Sequence, residues 1–242
     1  MACIESTQPP HPPRLPSASQ TAYFVNEFTR IVSPVKRVAD STVRRLSVYL
    51  RFLEESGQRG AATTSSEELA KHGGTTSAQV RKDLSFFGSF GKRGLGYSVP
   101  ELTTSLHEIL GLGRQWGVVI VGAGKIGTAL AQYHGFKSRG FNVVAVYDTD
   151  PRKVGSIWES LVVRDFAHFA HDVQALKPEI AVLAVPADRA QAAAQHLVEA
   201  GIRAILNFAP VQLQVPSDVA VRSVNMAMEL EGLSFELSTR LR

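Results

Sequence analysis

The spacing of apolar residues changes near the middle of this 242-residue chain, and the change predicts two domains. Between residues 42 and 87, apolar side chains recur every three or four positions, as they do along one face of a helix. From Trp116 onward they form short continuous runs, which are typical of strands buried on both faces of a parallel sheet. The pattern therefore predicts a helical domain followed by an α/β domain.

A winged-helix domain is predicted over residues 34–99. Its second and third helices follow Ser65 and Thr76, and each of these has Glu or Gln three residues later, the spacing of a capping box. The glycine pair at 73–74 makes a tight turn between the two helices, which gives the arrangement of a helix-turn-helix. Two glycine-flanked segments on either side of residues 92–93 are typical of a small β-wing.

Alternating strands and helices over residues 116–225 predict a Rossmann-like, doubly wound parallel sheet. A helix within residues 100–115 is expected to link this domain to the winged helix. Residues 226–242 have the pattern of an amphipathic helix, and no later element is available to cover its apolar face. Residues 1–33 are rich in proline and serine and are expected to be a disordered tail.

The net charge of +4 is unevenly distributed along the chain. Residues 35–100 hold eleven Lys and Arg against six Asp and Glu, whereas residues 101–242 are nearly balanced. This asymmetry indicates a polyanionic partner for the N-terminal domain, and a solvated basic surface accounts for it equally well.

Cysteine usage and hydropathy limit the cellular locations and the kinds of metal site that the sequence allows. The only cysteine is Cys3, which excludes a disulfide within the chain and a zinc site built on cysteines. No apolar run reaches the about 18 residues of a membrane span, and no secretory signal is recognisable. These features predict a cytoplasmic protein. His168 and His171 are interpreted as surface or packing histidines, so no metal is predicted.

A glycine-rich motif in the middle of the chain predicts a dinucleotide site. Gly122, Gly124 and Gly127 follow a predicted strand and open a predicted helix. The first permits a tight turn, the second lets the backbone approach the pyrophosphate, and the third lets helix and strand pack closely. Asp148 ends the next strand, 21 residues after Gly127, where it can accept hydrogen bonds from the adenosine ribose.

NAD(H) is the expected cofactor, because Asp148 would repel the 2′-phosphate of NADP(H), although Arg152 and Lys153 lie nearby. Val185 and Pro186 end a later strand, where a parallel sheet meets its ligand. The candidate cofactor-binding residues are Gly122, Ala123, Gly124, Lys125, Ile126, Gly127, Asp148, Lys153, Val185 and Pro186.

The third helix of the winged-helix domain is the candidate recognition helix. It presents Arg81 and Lys82 away from its apolar stripe, where they can donate to guanine or to phosphate. The basic wing suits a narrow, electronegative minor groove. The alternative is a dimerisation or lid module with a solvated charged face. The candidate DNA-binding residues are Gln79, Arg81, Lys82, Ser85, Lys92, Arg93 and Gly94.

The sequence offers no catalytic constellation. The Rossmann-like part has about 110 residues, which leaves no second domain to build a substrate pocket over the nicotinamide. No nucleophile elbow, P-loop or zinc-protease motif is present, so no enzymatic activity is predicted. Two alternatives remain. One is an NAD-dependent oxidoreductase with a helical lid. The other is a CoA-binding module of the succinyl-CoA synthetase type, against which Asp148 argues.

Long motifs in both domains resemble a known family. The segments AQVRKDLSFFGSFGKRGLGY, VIVGAGKIGTAL, VYDTDPRKVG and ILNFAPV are similar to those of Rex, the redox-sensing transcriptional repressors, over roughly residues 35–237. The resemblance implies a homodimer whose winged helices bind a palindromic operator and whose Rossmann domains bind NAD(H). It also implies that NADH releases the DNA, that NAD⁺ permits binding, and that the C-terminal helix is swapped between subunits.

The same resemblance implies a switch made of three residues. Arg51 and Tyr97 match two of them, and Asn225 stands where the family has an aspartate. An asparagine can hydrogen-bond to Tyr97 but cannot form a charged pair with Arg51, and charge-assisted bonds are roughly twice as strong as neutral ones. Met226 falls where the family has a bulky apolar residue near the partner subunit's nicotinamide. Tyr97 and Met226 are therefore further candidate cofactor-binding residues.

Overall fold

The computed structural model describes residues 38–91, 94–158 and 160–240. The tail predicted over residues 1–33 lies outside the described residues, and so do Lys92 and Arg93 of the predicted wing. The chain divides into two compact units, and the boundary between Leu106 and His107 falls inside a helix. Each unit has its own hydrophobic core.

The N-terminal unit contains helices and a two-stranded antiparallel sheet. Leu46, Leu50 and Leu53 recur at helical spacing along the first helix and are fully buried, as are Leu69 and Leu84 of the next two helices. The predicted order of three helices is therefore confirmed. The elements are α1 (Asp40–Gln58), β1 (Thr63–Thr64), α2 (Ser66–His72), α3 (Ser77–Ser85), β2 (Tyr97–Ser98) and α4 (Val99–Ile109).

The two predicted capping boxes differ in the structure. At the start of α2 the box is complete, because Ser65 accepts from the Glu68 backbone while the Glu68 carboxylate accepts from the Ser65 N–H. At the start of α3, Thr76 accepts from the Gln79 backbone, but the Gln79 side chain does not return to it. The second box was therefore only half right. The Gln79 amide donates to another side chain, Asp83.

The wing is built differently from the prediction. Strand β2 pairs antiparallel with β1, which precedes the helix-turn-helix, in the register Thr63 to Ser98 and Thr64 to Tyr97. No strand occurs among the described residues from 86 to 96 that precede β2, apart from an isolated bridge at Gly96. The predicted β-wing therefore matches this sheet only in part, because the partner of β2 precedes the helix-turn-helix and does not come from the other side of residues 92–93.

The C-terminal unit is an α/β domain with one seven-stranded sheet. Short 3₁₀ turns occupy Lys137–Arg139 and Phe166–His168. The regular elements are β3 (Trp116–Val121), α5 (Lys125–Ala131), β4 (Phe141–Asp148), β5 (Ile157–Trp158), β6 (Leu161–Asp165), α6 (Phe169–Leu176), β7 (Ile180–Leu183), α7 (Ala187–Glu199), β8 (Ala204–Asn207), β9 (Ala220–Ser223) and α8 (Met226–Arg240).

The sheet has the strand order of a Rossmann domain, with β3, the first strand of this domain, at its centre. The order is β5-β6-β4-β3-β7-β8-β9, and every pair is parallel except β5 with β6. Successive residues of β3 serve both faces, since Val118 and Ile120 join one core while Val119 and Val121 join the other. The doubly wound sheet is thus confirmed. The chain adds strands first on the β4 side of β3 and then on the β7 side, and this reversal of strand order opens a crevice at the carboxyl ends of β3 and β7.

The C-terminal helix α8 buries none of its residues against the part of the chain that the structure describes. All of its residues are exposed, including six large apolar side chains. Four of these recur at helical spacing along one stripe, and two lie on the opposite side of the helix. The stripe consists of Met226, Leu230, Leu233 and Leu237, and the other two are Met228 and Phe235.

Candidate functional site

Two glycines hold the turn after β3 in a form that other residues cannot adopt. Gly122 has a φ of +108°, and a Cβ on it would collide with the Ala184 carbonyl oxygen. A Cβ on Gly127 would collide with the Gly122 carbonyl oxygen. The turn, the end of β7 and the first turn of α5 are therefore packed backbone against backbone.

Gly124 differs from these two, because a Cβ on it would meet no atom within 4 Å. The space over Gly124 is open, which is what a ligand approaching the backbone requires. Lys125 and Ile126 follow it and are exposed in the first turn of α5. Val185 lies against Gly122, and Pro186 is the N-cap of α7 at the end of the neighbouring strand. The loops after β3 and β7 thus form the two walls of the crevice.

Asp148 is nearly buried at the end of β4, and both of its carboxylate oxygens are occupied. Oδ2 accepts from the Ala123 N–H at 2.7 Å and from the Lys153 ammonium at 3.0 Å. Oδ1 accepts from the Asp150 N–H at 2.8 Å. Burial opposes ionisation of Asp148, but these three donors outweigh it and hold the pKa of the carboxyl below its ordinary value.

The cations of this loop are paired with its carboxylates. Lys153 contacts Asp148, and Arg152 forms a two-pronged pair with Asp150 at 2.8 and 3.0 Å. The pKa of Asp150 is lowered to about 2, chiefly by the hydrogen bond from the Arg152 side chain. The two basic residues that offered a 2′-phosphate site in the sequence are thus engaged by acidic partners.

The candidate recognition helix α3 carries two exposed basic side chains, of which one forms a hydrogen bond to a neighbouring helix. Lys82 is exposed, whereas the exposed Arg81 donates to the Ser66 hydroxyl of α2 at 2.9 Å. The Ser85 hydroxyl donates to the Lys82 carbonyl and remains exposed. Gly94 is exposed in the wing, and its φ of +82° is typical of a glycine turn.

Asp83 is a buried charged residue that the sequence patterns did not single out. It lies on the inner side of α3, fully buried, and its carboxylate accepts from the side chains of Thr42, Arg45, Tyr49 and Gln79. Burial opposes its ionisation, but these hydrogen bonds hold its pKa below the ordinary value. A signal existed in the sequence, since an acidic residue three positions after Val80 and one before Leu84 falls on the apolar stripe of the helix.

The structure places the three proposed switch residues in different environments. Arg51 is exposed on α1. Tyr97 is buried within the N-terminal unit, its ring lies beside Gly91, and burial raises the pKa of its hydroxyl. The Asn225 side-chain oxygen accepts from the backbone N–H groups of Ala227 and Met228, so that it caps α8.

The described residues contain neither a metal cluster nor a membrane-spanning helix. Within residues 38–91, 94–158 and 160–240, no three His, Cys, Asp or Glu side chains are arranged to hold a metal ion. Of the helices described, none combines the length and apolar character needed to cross a membrane.

Two family models match the chain, one in each half. Residues 37–85 match the model described as a putative DNA-binding protein N-terminus. Residues 114–211 match the model described as a CoA binding domain. The first covers helices α1 to α3, and the second covers the sheet from β3 to β8.

Curated proteins called redox-sensing transcriptional repressor Rex are similar to most of the chain. The one from Carboxydothermus hydrogenoformans is 46% identical over 201 residues, which are 83% of this chain and 97% of that protein. The one from Chloroflexus aggregans is 45% identical over 199 residues, which are 82% of this chain and 94% of that protein.

Solved structures of RSP, a Rex-family repressor, are similar to both units. RSP with β-NAD⁺ and operator DNA is 39% identical with a TM-score of 0.79, over 84% of this chain and 94% of that one. RSP with β-NADH is 37% identical with a TM-score of 0.77, over 86% of this chain and all of that one. The resemblance found in the sequence is therefore confirmed. This chain belongs to the Rex family of redox-sensing transcriptional repressors.

Proposed function

We propose that this protein represses transcription by binding operator DNA with its N-terminal unit, and that NADH bound by its C-terminal unit releases it from the DNA. The similarity to RSP carries the proposal, because RSP has been solved with β-NADH and with β-NAD⁺ and operator DNA. That similarity extends over 84% of this chain or more, so it includes both units.

The exposed face of α3 supports the DNA half of the proposal. Lys82 is exposed with three ammonium donors, and Arg81 is held only by an exposed hydroxyl, which DNA phosphate can replace. Ser85 and Gly94 lie on exposed surface of α3 and the wing. Lys92 and Arg93 of the wing remain predicted contacts, outside the described residues.

The open backbone at Gly124 supports the cofactor half. A pyrophosphate that lies there meets the free N–H groups of the first turn of α5, including those of Lys125 and Ile126. The Asp148 carboxylate has roughly four acceptor positions, of which three are occupied in the free protein. One ribose hydroxyl can therefore bind directly, and the second replaces the Lys153 ammonium on Oδ2. The same carboxylate repels the 2′-phosphate of NADP(H).

We propose a homodimer in which α8 is covered by the second subunit. The apolar stripe of Met226, Leu230, Leu233 and Leu237 is exposed in the single chain, and apolar surface of this kind associates in water. Met226 is then positioned to meet the partner subunit's cofactor, as the family resemblance implies.

The cofactor acts by shifting an equilibrium between two arrangements of the dimer. It can do so only by the difference in its affinity for the two arrangements, and DNA must favour the other one by linkage. Arg51, Tyr97 and Asn225 are the proposed switch that senses which arrangement is present. The protein acts as a regulator and not as an enzyme, and we place it in the cytoplasm, where operator DNA is accessible.

The experiment that tests this function begins by selecting a duplex from a random-sequence library with the wild-type protein and NAD⁺. Binding of that duplex is then measured by gel shift while NAD⁺ and NADH are titrated separately. We expect NADH to release the duplex and NAD⁺ to leave it bound. Equal retention with both cofactors at every concentration contradicts redox sensing, and the absence of any enriched duplex contradicts operator binding.

The match to the CoA binding domain model supports one alternative, namely that the crevice binds CoA. The adenosine of CoA carries a 3′-phosphate, which Asp148 repels as it repels a 2′-phosphate. We therefore expect CoA not to displace NADH in a fluorescence competition. Displacement at equal concentrations would favour the CoA reading.

A further inference from the structure

We infer that Asp83 is a positioning residue that fixes the recognition helix for base reading, and that Gln79 serves Asp83 rather than a base pair. This inference rests on the proposed function, because it concerns how the same helix reads operator DNA. It changes the expected role of Gln79, a half-buried residue near the start of α3 that the sequence placed among the candidate DNA-binding residues.

The Asp83 carboxylate links the inner side of α3 to α1. Oδ1 accepts from Gln79 and from Arg45 Nη2, both at 2.8 Å, and from the Thr42 hydroxyl at 3.2 Å. Oδ2 accepts from Arg45 Nε at 2.6 Å and from the Tyr49 hydroxyl at 3.1 Å. Arg45 thus forms a two-pronged fork, which fixes direction as well as distance.

The geometry ties the rotation of α3 to α1. Thr42, Arg45 and Tyr49 lie on successive turns of α1, and all three converge on one carboxylate of α3. Apolar contacts at Val80 and Leu84 tolerate a small rotation or shift of the helix, because the hydrophobic effect has no direction. The four hydrogen bonds from α1 to this buried carboxylate do not tolerate it, since a buried charge that loses a partner is strongly destabilised.

Lys82 adjoins Asp83 in sequence, so its angle around the helix axis is set by the direction of the Asp83 side chain. Base reading requires donors placed to within a fraction of an ångström, whereas phosphate binding accepts a wider range of positions. Loosening the Asp83 network should therefore harm recognition of the selected duplex and spare binding to DNA of any sequence.

Gln79 is committed to this network. Its amide N–H donates to Asp83 at 2.8 Å from one turn earlier in the same helix, while its backbone N–H donates to Thr76. Turning the amide toward adenine would remove one donor from a fully buried carboxylate. We therefore expect that replacing Gln79 lowers the affinity for DNA by the same factor whichever base pair of the duplex is changed.

The first test compares two variants that remove the same negative charge from the N-terminal unit. Asp83→Asn should weaken binding of the selected duplex by about tenfold or more and leave a scrambled duplex nearly unchanged. Glu67→Gln, at an exposed position in the first turn of α2, should leave both affinities equal or raise them, because the domain becomes more basic. The readout is the ratio of the two affinities for each variant.

This ratio separates positioning from mere folding. A partly unfolded preparation lowers the active fraction for both duplexes and leaves the ratio unchanged. Asp83→Asn behaving like Glu67→Gln overturns the inference. If Asp83→Asn does not fold, Arg45→Lys keeps the charge and loses the fork, and it should lower the ratio by a smaller factor. An unchanged ratio in a folded Arg45→Lys variant also overturns the inference.

The second test measures Gln79→Ala against a set of duplexes in which each base pair of the selected sequence is replaced in turn. We expect the wild-type profile of preferences, reduced by one common factor of about fivefold or less. Loss of discrimination at a single base pair, with the others intact, would identify Gln79 as a base reader and overturn its assignment here. Failure of the wild-type protein to enrich any duplex, in contrast, is a failure of the proposed function.

Discussion

At the scale of single residues, Asp148 combines two tasks. It orders the glycine loop by accepting the Ala123 N–H, and it presents a charged acceptor to the crevice. The Lys153 ammonium lowers the cost of keeping that charge in a nearly buried position. The residue therefore stabilises the loop with the same carboxylate that is proposed to bind the ribose.

We expect Asp148→Asn to weaken NADH binding by about 10- to 100-fold, because hydrogen bonds to a charged group contribute about 1.5–3 kcal/mol. Isothermal titration of the variant with NADH measures this loss. Asp218→Asn is the matched control, since Asp218 is an exposed carboxylate paired with Arg203 near the other edge of the sheet. An Asp148→Asn variant that binds NADH like the control would show that Asp148 does not hold the ribose.

Asn225 stands where the family resemblance leads us to expect an aspartate. Its oxygen caps α8, and aspartate is an equally good N-cap. Exchanging the amide for a carboxylate therefore changes the charge without removing the cap.

We expect Asn225→Asp to lower the NADH concentration that half-releases DNA by about threefold to tenfold, roughly 1 kcal/mol, through a charged pair with Arg51. Gel shifts under NADH titration measure the midpoint. In the Arg51→Met background the same substitution should have no effect. A gain that persists without Arg51 would show that the charge acts elsewhere.

The spacing of residues predicted where the motif glycines and Asp148 lie in the α/β domain, because they belong to a short local motif with a fixed structure. It did not predict Asp83, whose partners Thr42, Arg45 and Tyr49 are about forty residues away. Side-chain hydrogen bonds between helices depend on how the helices pack, and periodicity carries no information about that packing.

At the scale of elements, the turn between β3 and α5 depends on two glycines for different reasons. Gly127 is needed by the fold, since its missing Cβ lets α5 approach the turn. Gly124 has a φ of −90° and a ψ of −172°, which alanine adopts without strain, and open space beside it. Their substitution by alanine therefore separates packing from ligand binding.

We expect Gly127→Ala to destabilise the C-terminal unit by about 1–3 kcal/mol or more, because the added methyl has no space. Gly124→Ala should change stability by less than about 1 kcal/mol and still weaken NADH binding by about tenfold or more. Thermal unfolding and NADH titration on both variants check this. Normal NADH affinity in Gly124→Ala would mean that the pyrophosphate lies elsewhere.

The elements that the sequence predicted are those with strong local patterns. Continuous apolar runs located β3, β4, β7 and β8. The short strands β5 and β6 were missed, because Ile157 and Val162 are exposed and the strands lack a buried run. The pairing of β1 with β2 was missed because two-residue strands have no periodicity, and their partners are set by the tertiary fold.

At the scale of the whole molecule, the proposed dimer rests on α8. Its apolar stripe is exposed along its full length in the single chain. In a symmetric dimer each substitution on the stripe occurs in both subunits, so that its effect on the free energy of association is doubled.

We expect Leu233→Asp to raise the dimer dissociation constant by about 100-fold or more, because it places a charge in an apolar contact in both subunits. Sedimentation velocity over a range of concentrations measures it. Ser234→Asp, one residue along on the same helix, is the control and should remain dimeric. Equal behaviour of the two variants would show that the stripe is not the interface.

The pairing of β1 with β2 brings the two ends of the segment 65–96 side by side. That segment contains α2, α3 and the wing, which together hold all the residues proposed to contact DNA. The segment is therefore an insertion that begins and ends at the same small sheet. Such an insertion can be exchanged between relatives as a cassette, which would retarget the repressor while its redox response stays the same. Among the contacts that such an exchange must keep is the one at Asp83: the donor segment must bring an acidic residue there, because Arg45 stays in α1 to bind it.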